Sequence, residues 1–168
     1  MKTLTACTVL AMAGLFALSA TSAMADDDYF KVKAANLSGF QQAPSIISNA
    51  SGNFIAKVYK NRLEYKLIYQ NLSSPLNEAH IHFAQPGVNG EVMVVFCGDP
   101  NNSCPATTSG TLQGTVYFNQ IKAIPKQFLK AGDFNQFVRA IKSGATYVNL
   151  HSTQIDGEIR GQIVVGGW

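Results

Sequence analysis

Apolar and polar residues alternate one by one through several strand-length runs of this chain, and a period of two excludes a helical fold for most of it. The C-terminal stretch Thr146–Val165, TYVNLHSTQIDGEIRGQIVV, carries two β-rich runs, Tyr147–His151 and Glu158–Val165, joined by a polar loop ending in Asp156-Gly157. An Asp-Gly pair between such runs signals a hairpin. Alternation sorts the first run by face: Tyr147, Asn149 and His151 point one way, Val148 and Leu150 the other. In the return run Glu158, Arg160 and Gln162 share a face, with Ile159, Ile163 and Val165 on or near the opposite one. A histidine, a glutamate and an arginine thus stand on the polar face of a strand pair. A second stretch, Ala79-His80-Ile81-His82, alternates in the same way.

The texture is β from Tyr29 onward. Strands are expected over Tyr29–Leu37, Gly52–Tyr59, Arg62–Gln70, Glu78–Phe83, Glu91–Phe96 and Gly110–Phe118, ahead of the closing hairpin. Within Arg62–Gln70, Leu63, Tyr65, Leu67 and Tyr69 share one face, the mark of a half-buried antiparallel strand. Glu91–Phe96 is apolar almost without a break, which suits a central strand. The pattern changes after Phe118: Pro125–Leu129 can open a helical turn, and Asp133–Lys142 follows with a helical period. Its Phe134, Phe137, Val138 and Ile141 form a helical stripe, with Asp133 as cap and Gly144 as stop. Seven or eight short strands at this spacing predict an all-β antiparallel Greek-key sandwich of immunoglobulin or superoxide-dismutase type, with one short helical insertion.

The first 25 residues are read as a leader rather than as fold. Lys2 precedes an uncharged apolar run from Leu4 to Ala20, and Ala23-Met24-Ala25 is a small-x-small cleavage site. A mature chain of residues 26–168 is one domain's worth of sequence, destined for the periplasm or the medium. No other stretch is long enough to span a bilayer. The whole chain has 13 basic and 10 acidic side chains. The basic ones are scattered, so nucleic acid is not an expected partner. Cys97 and Cys104 flank the turn-rich Gly-Asp-Pro-Asn-Asn-Ser. In an oxidising compartment such a pair is expected to form a disulfide.

The motifs Leu37-Ser38-Gly39 with Pro44, Ala79-His80-Ile81-His82, Gly87-Val88-Asn89-Gly90, Tyr147-Val148-Asn149-Leu150-His151 and Gly157-Glu158-Ile159-Arg160-Gly161-Gln162 stand in this order along the chain. Together they resemble the CHRD domain family, named for the repeats of chordin. The resemblance implies a β-sandwich module, found singly in secreted bacterial proteins, and implies little about activity. A looser likeness is to copper–zinc superoxide dismutase, a sandwich with a His-x-His pair on one strand and another copper histidine near the chain end. This chain lacks a second histidine cluster for zinc and a fourth copper histidine.

His80, His82 and His151 are the chain's three histidines. Alternation sends His80 and His82 out of one face, and pairing of the two histidine strands would bring in His151. Imidazole suits copper and zinc, and with export and the sandwich copper is expected ahead of zinc. Occupancy is expected to fall with acid in the ordinary histidine range, near ~6. The alternative is a polar network of imidazoles with Asn149, Glu158 and Arg160. Arg160 is expected to guide an anion toward the metal and Glu158 to orient a ligand imidazole, or else the two form a cross-strand ion pair that pins the hairpin. Three functions follow: an exported copper-binding protein, a structural or adhesion module contacting another exported protein, and a dismutase-like redox enzyme.

Overall fold

The computed structural model describes residues 28–166, so the expected leader over residues 1–25 and Trp168 lie outside the described residues. Nine strands and one helix follow in order: β1 (Phe30–Leu37), β2 (Ser51–Val58), β3 (Arg62–Gln70), β4 (Leu76–Phe83), β5 (Glu91–Cys97), β6 (Gly110–Tyr117), α1 (Phe134–Lys142), β7 (Thr146–Ser152), β8 (Ile159–Gln162) and β9 (Val164–Val165). They form two antiparallel sheets, ordered β6-β3-β2-β1-β9 and β5-β4-β7-β8. The all-β sandwich and the single short helix before the last hairpin are as expected.

Alternation places the core between the sheets. Val32 and Ala34 of β1, Phe54 of β2 and Leu67 of β3 face Ile81 of β4 and Leu150 of β7, all sealed from solvent. The period breaks once in β1, where Leu37 rather than Asn36 is the next inward residue. A bulge lies between Ala34 and Leu37, and Asn36 takes up the extra residue with φ 57°, a conformation asparagine tolerates better than most. Helix α1 closes one end. Asp133 caps it, its carboxylate accepting from Gln136 N at 3.0 Å, and Phe137 and Ile141 are wholly buried. Each such side chain contributes ~1.5–3 kcal/mol through burial.

Two expectations need correcting. β5 is an edge strand, not a central one. Its apolar run is covered because the segment after β6 folds along it, with Lys122 N donating to Met93 O at 2.9 Å. The final run also does not stay in one sheet. β8 pairs with β7, whereas β9 crosses over to pair with β1, leaving Val165 half exposed.

The outer face of the four-stranded sheet is not left to solvent. The segment from Ser38 to Ala50 straps across it: Ser38 and Arg160 exchange backbone hydrogen bonds at 3.0 and 3.2 Å. Ser48 Oγ donates to Glu158 at 2.7 Å. Asn89 Nδ2 donates to Ala43 O at 2.7 Å, joining the strap to the loop after β4. The polar face of β4 and β7 is therefore roofed.

Candidate metal centre

Because Ala79 and Ile81 fill the core side of β4, His80 and His82 must leave by the other side, under the strap. β4 pairs with β7 in a register that sets His80 opposite Asn149, His82 opposite Tyr147 and Glu78 opposite His151. His151 is thus a diagonal neighbour of His80. The ring centroids stand 5.5 Å apart for His80 and His82 and 5.3 Å apart for His80 and His151. One nitrogen from each of the three rings lies within 4.8 Å of the other two.

Hydrogen bonds assign which nitrogen two of the rings keep free. His82 Nδ1 is 2.9 Å from Gly90 O, and a carbonyl only accepts, so Nδ1 carries the proton and Nε2 the lone pair. His151 Nδ1 is 2.6 Å from Asp156 Oδ1, which likewise puts its lone pair on Nε2. His80 Nε2 faces Glu78 Oε2 at 3.7 Å, an ion-pair approach longer than a hydrogen bond, and its Nδ1 is the nitrogen turned away from that carboxylate. Of these inward nitrogens, His80 Nδ1 and His82 Nε2 are buried with no hydrogen-bond partner. Buried polar atoms of that kind are few in folded proteins. His82 and His151 each donate the opposite nitrogen's proton to an oxygen, the arrangement that orients imidazoles toward a cation.

Burial under the strap makes the charged form of two rings costly. It pulls His80 down to about 3, with the neighbouring His151 and His82 acting in the same direction. It pulls His82 down to about 4 against the opposing Gly90 carbonyl. Both are neutral at physiological pH, as ligation requires. Proton competition at these two rings falls below pH ~6, lower than ordinary imidazoles would predict.

Around the histidines a stack extends toward β8. The Tyr147 ring lies nearly parallel to His82, 6° and 4.8 Å away, and Arg160 Cζ stands 3.4 Å from the Tyr147 centroid. Gly90 serves both rings, its carbonyl meeting His82 and its N–H donating to Tyr147 Oη at 3.1 Å. Glycine is required there because a Cβ would run into the Phe83 carbonyl. An open pocket of about 320 Å³, bordered by Gln42, Pro44, His82, Asn89, His151 and Asp156, leads down to the rings.

Glu158 and Arg160 do not form the expected ion pair. The Glu158 carboxylate is taken by Ser48 Oγ at 2.7 Å, Ser73 N at 2.8 Å and Ser73 Oγ at 2.9 Å. Burial alone would raise its pKa, but hydrogen bonds from Ser152, Ser48 and Ser73 together hold it below the ordinary value. Arg160 turns instead to Gln85 O at 3.2 Å and Asn89 Oδ1 at 3.5 Å. Asn149 does reach the histidines, with Nδ2 3.2 Å from His151 Nε2.

Sequence reasoning missed Glu78, Asp156, Gly90 and Gln42. Glu78 had a signal, since it alternates with His80 on the same strand face. Asp156 was visible only as a turn residue. Nothing in the alternation pointed to Gly90 or Gln42, which arrive from loops.

Cys97 and Cys104 are joined, with Cα atoms 5.0 Å apart. Among the described residues no helix is long and apolar enough to cross a membrane. No curated protein and no solved structure matches the chain. The sequence model of the CHRD domain matches residues 33–163, a span that takes in both histidine strands, the strap and the closing hairpin. By that match the chain belongs to the CHRD domain family.

Proposed function

We propose that this CHRD domain is an exported protein that binds one transition-metal ion, copper ahead of zinc, through His80 Nδ1, His82 Nε2 and His151 Nε2. The observation that carries the reading is the pair of buried, partnerless nitrogens on His80 and His82, set in a three-histidine group within 4.8 Å. A cation answers both at once, where a buried polar network would have bonded them to each other or to a neighbour. Three neutral imidazoles suit copper and zinc, and nitrogen donors bind Cu²⁺ above its first-row neighbours. Export rests on the candidate leader and fits the Cys97–Cys104 bridge.

Titration of the mature protein with Cu(II) at neutral pH tests it. One equivalent bound, with nitrogen hyperfine structure in the electron paramagnetic resonance spectrum, is expected. His82→Ala and His151→Ala each weaken binding severely. If both variants bind as the parent does, the metal reading falls and the structural or adhesion module takes its place. A dismutase-like activity draws on the pocket beside His82 and His151, through which a small ligand can approach. A superoxide assay of the copper-loaded protein tests that second reading.

A further inference from the structure

The residues that support His80, His82 and His151 fall into two kinds. Glu78, Gly90 and Asp156 each sit beside the nitrogen turned away from the group. Asn149 differs. Its amide approaches His151 at Nε2, the nitrogen that carries the lone pair.

The polarity of that contact follows from its neighbours. Asp156 accepts the Nδ1 proton of His151 at 2.6 Å, so Nε2 has only a lone pair to offer. Asn149 must then present Nδ2 as donor, which turns its Oδ1 outward. There Gln42 Nε2 donates to it at 2.6 Å. The result is one directed chain, Gln42 to Asn149 to His151 to Asp156, running from the strap through β7 to the hairpin loop. Gly157 packs against the two amides. A Cβ there would lie 3.3 Å from both Asn149 Nδ2 and Gln42 Nε2.

An imidazole nitrogen has a single lone pair, so Nε2 of His151 cannot accept from Asn149 and hold a metal ion together. The spacing says the same. Ligands at ~2.0–2.1 Å in a tetrahedral site stand roughly 3.3–3.5 Å apart, and the three nitrogens spread to as much as 4.8 Å. The group must contract to ligate.

We propose that Asn149, held by Gln42, is a latch that competes with the metal ion for His151 Nε2 and so lowers the affinity of the site. The inference rests on the metal-binding reading. In the latched state the third ligand is hydrogen-bonded and set back. In the loaded state Asn149 has let go and His151 has closed on the ion held by His80 and His82. The latch gives the site a route for surrendering its ion, because the third bond can be exchanged for a hydrogen bond already in place.

Cu(II) affinity measured by chelator competition tests this in the parent, Asn149→Ala and Gln42→Leu. The second variant removes the lock from the strap and leaves the sheet untouched, in case the first disturbs folding. A neutral hydrogen bond is worth enough to tighten binding about 2- to 10-fold when it is removed, and Asn149→Ala is expected to bind tighter by that factor. Gln42→Leu should move in the same direction by less. In ion-free protein, nitrogen resonances of the imidazoles should show His151 Nε2 shifting in Asn149→Ala while the proton stays on Nδ1. A parent that binds one equivalent alongside variants that bind no tighter overturns the latch and leaves the metal site standing. A parent that binds no ion overturns both.

Discussion

Arg160 stands with its guanidinium carbon 3.4 Å from the centre of the Tyr147 ring, and that ring is in turn stacked on His82. A buried cation here leans on an aromatic face and loop oxygens, not on a carboxylate. Arg160 is 1% exposed, so its loss leaves a cavity and deprives Gln85 O and Asn89 of a donor. Arg160→Ala should destabilise the domain by about 2–4 kcal/mol. Its copper stoichiometry should stay at one. Urea denaturation with metal analysis of the folded fraction reads both. A normal midpoint with metal lost would mean Arg160 serves the ion and not the fold.

Asp156 is a test of ring orientation. It is 98% exposed at its side chain yet 2.6 Å from His151 Nδ1, so replacing it removes little packing. Asp156→Ala should weaken metal binding about 10- to 100-fold. The melting temperature of ion-free protein should barely change. Competition against a chelator measures the first and a thermal scan the second. Unchanged affinity would show that His151 needs no anchor.

Acid should weaken the fold well before ordinary carboxylates titrate. His80 and His82 are held at about 3 and about 4, against 6.5 in an unperturbed ring. Between those values the unfolded chain takes up protons that the folded chain does not, so stability falls as pH drops from 6.5. Glu158, held below the ordinary glutamate value, adds a loss of the same sign at lower pH. Denaturation midpoints of ion-free protein, measured from neutral pH to about 4, should decline throughout. His80→Leu combined with His82→Leu should flatten the upper part of that decline. A midpoint that rises on acidification would contradict the burial of these rings.

The Cys97–Cys104 bridge closes a loop with a sequence separation of 7. Constraint of so short a loop contributes roughly 2–3 kcal/mol. Denatured, unreduced mature protein should titrate no free thiol, and Cys97→Ala with Cys104→Ala should lower stability by about that amount. Two titratable thiols would remove the bridge.

Much of this was legible in the alternation. It sorted β4 and β7 into a core face and a histidine face, and the stripe of Phe134, Phe137 and Ile141 marked the one helix. The errors came where a local pattern has several long-range solutions. An apolar run such as Glu91–Phe96 reads as central whether a strand or a loop covers its edge, and here the segment carrying Lys122 does so. Glu158 and Arg160 share the polar face of the return run, which suggested a pair across the hairpin. Yet a strap bringing Ser48 and loops bringing Ser73, Gln85 and Asn89 offer each a better partner. No spacing rule sees a strap, because its contacts join residues as far apart as Gln42 and Asn149.

β4 is asked to serve two masters, with Ala79 and Ile81 in the core and His80 and His82 under the strap. A slip of one residue against β7 would exchange the two sets, driving imidazoles into the apolar interior and stranding isoleucine outside. The misaligned chain would lose its core and its histidine cluster in the same movement. Strand alignment is therefore proofread by the hydrophobic effect on behalf of the cluster. A molecule whose β4 lays its apolar residues in the core has, by that fact, set His80 and His82 side by side under the strap.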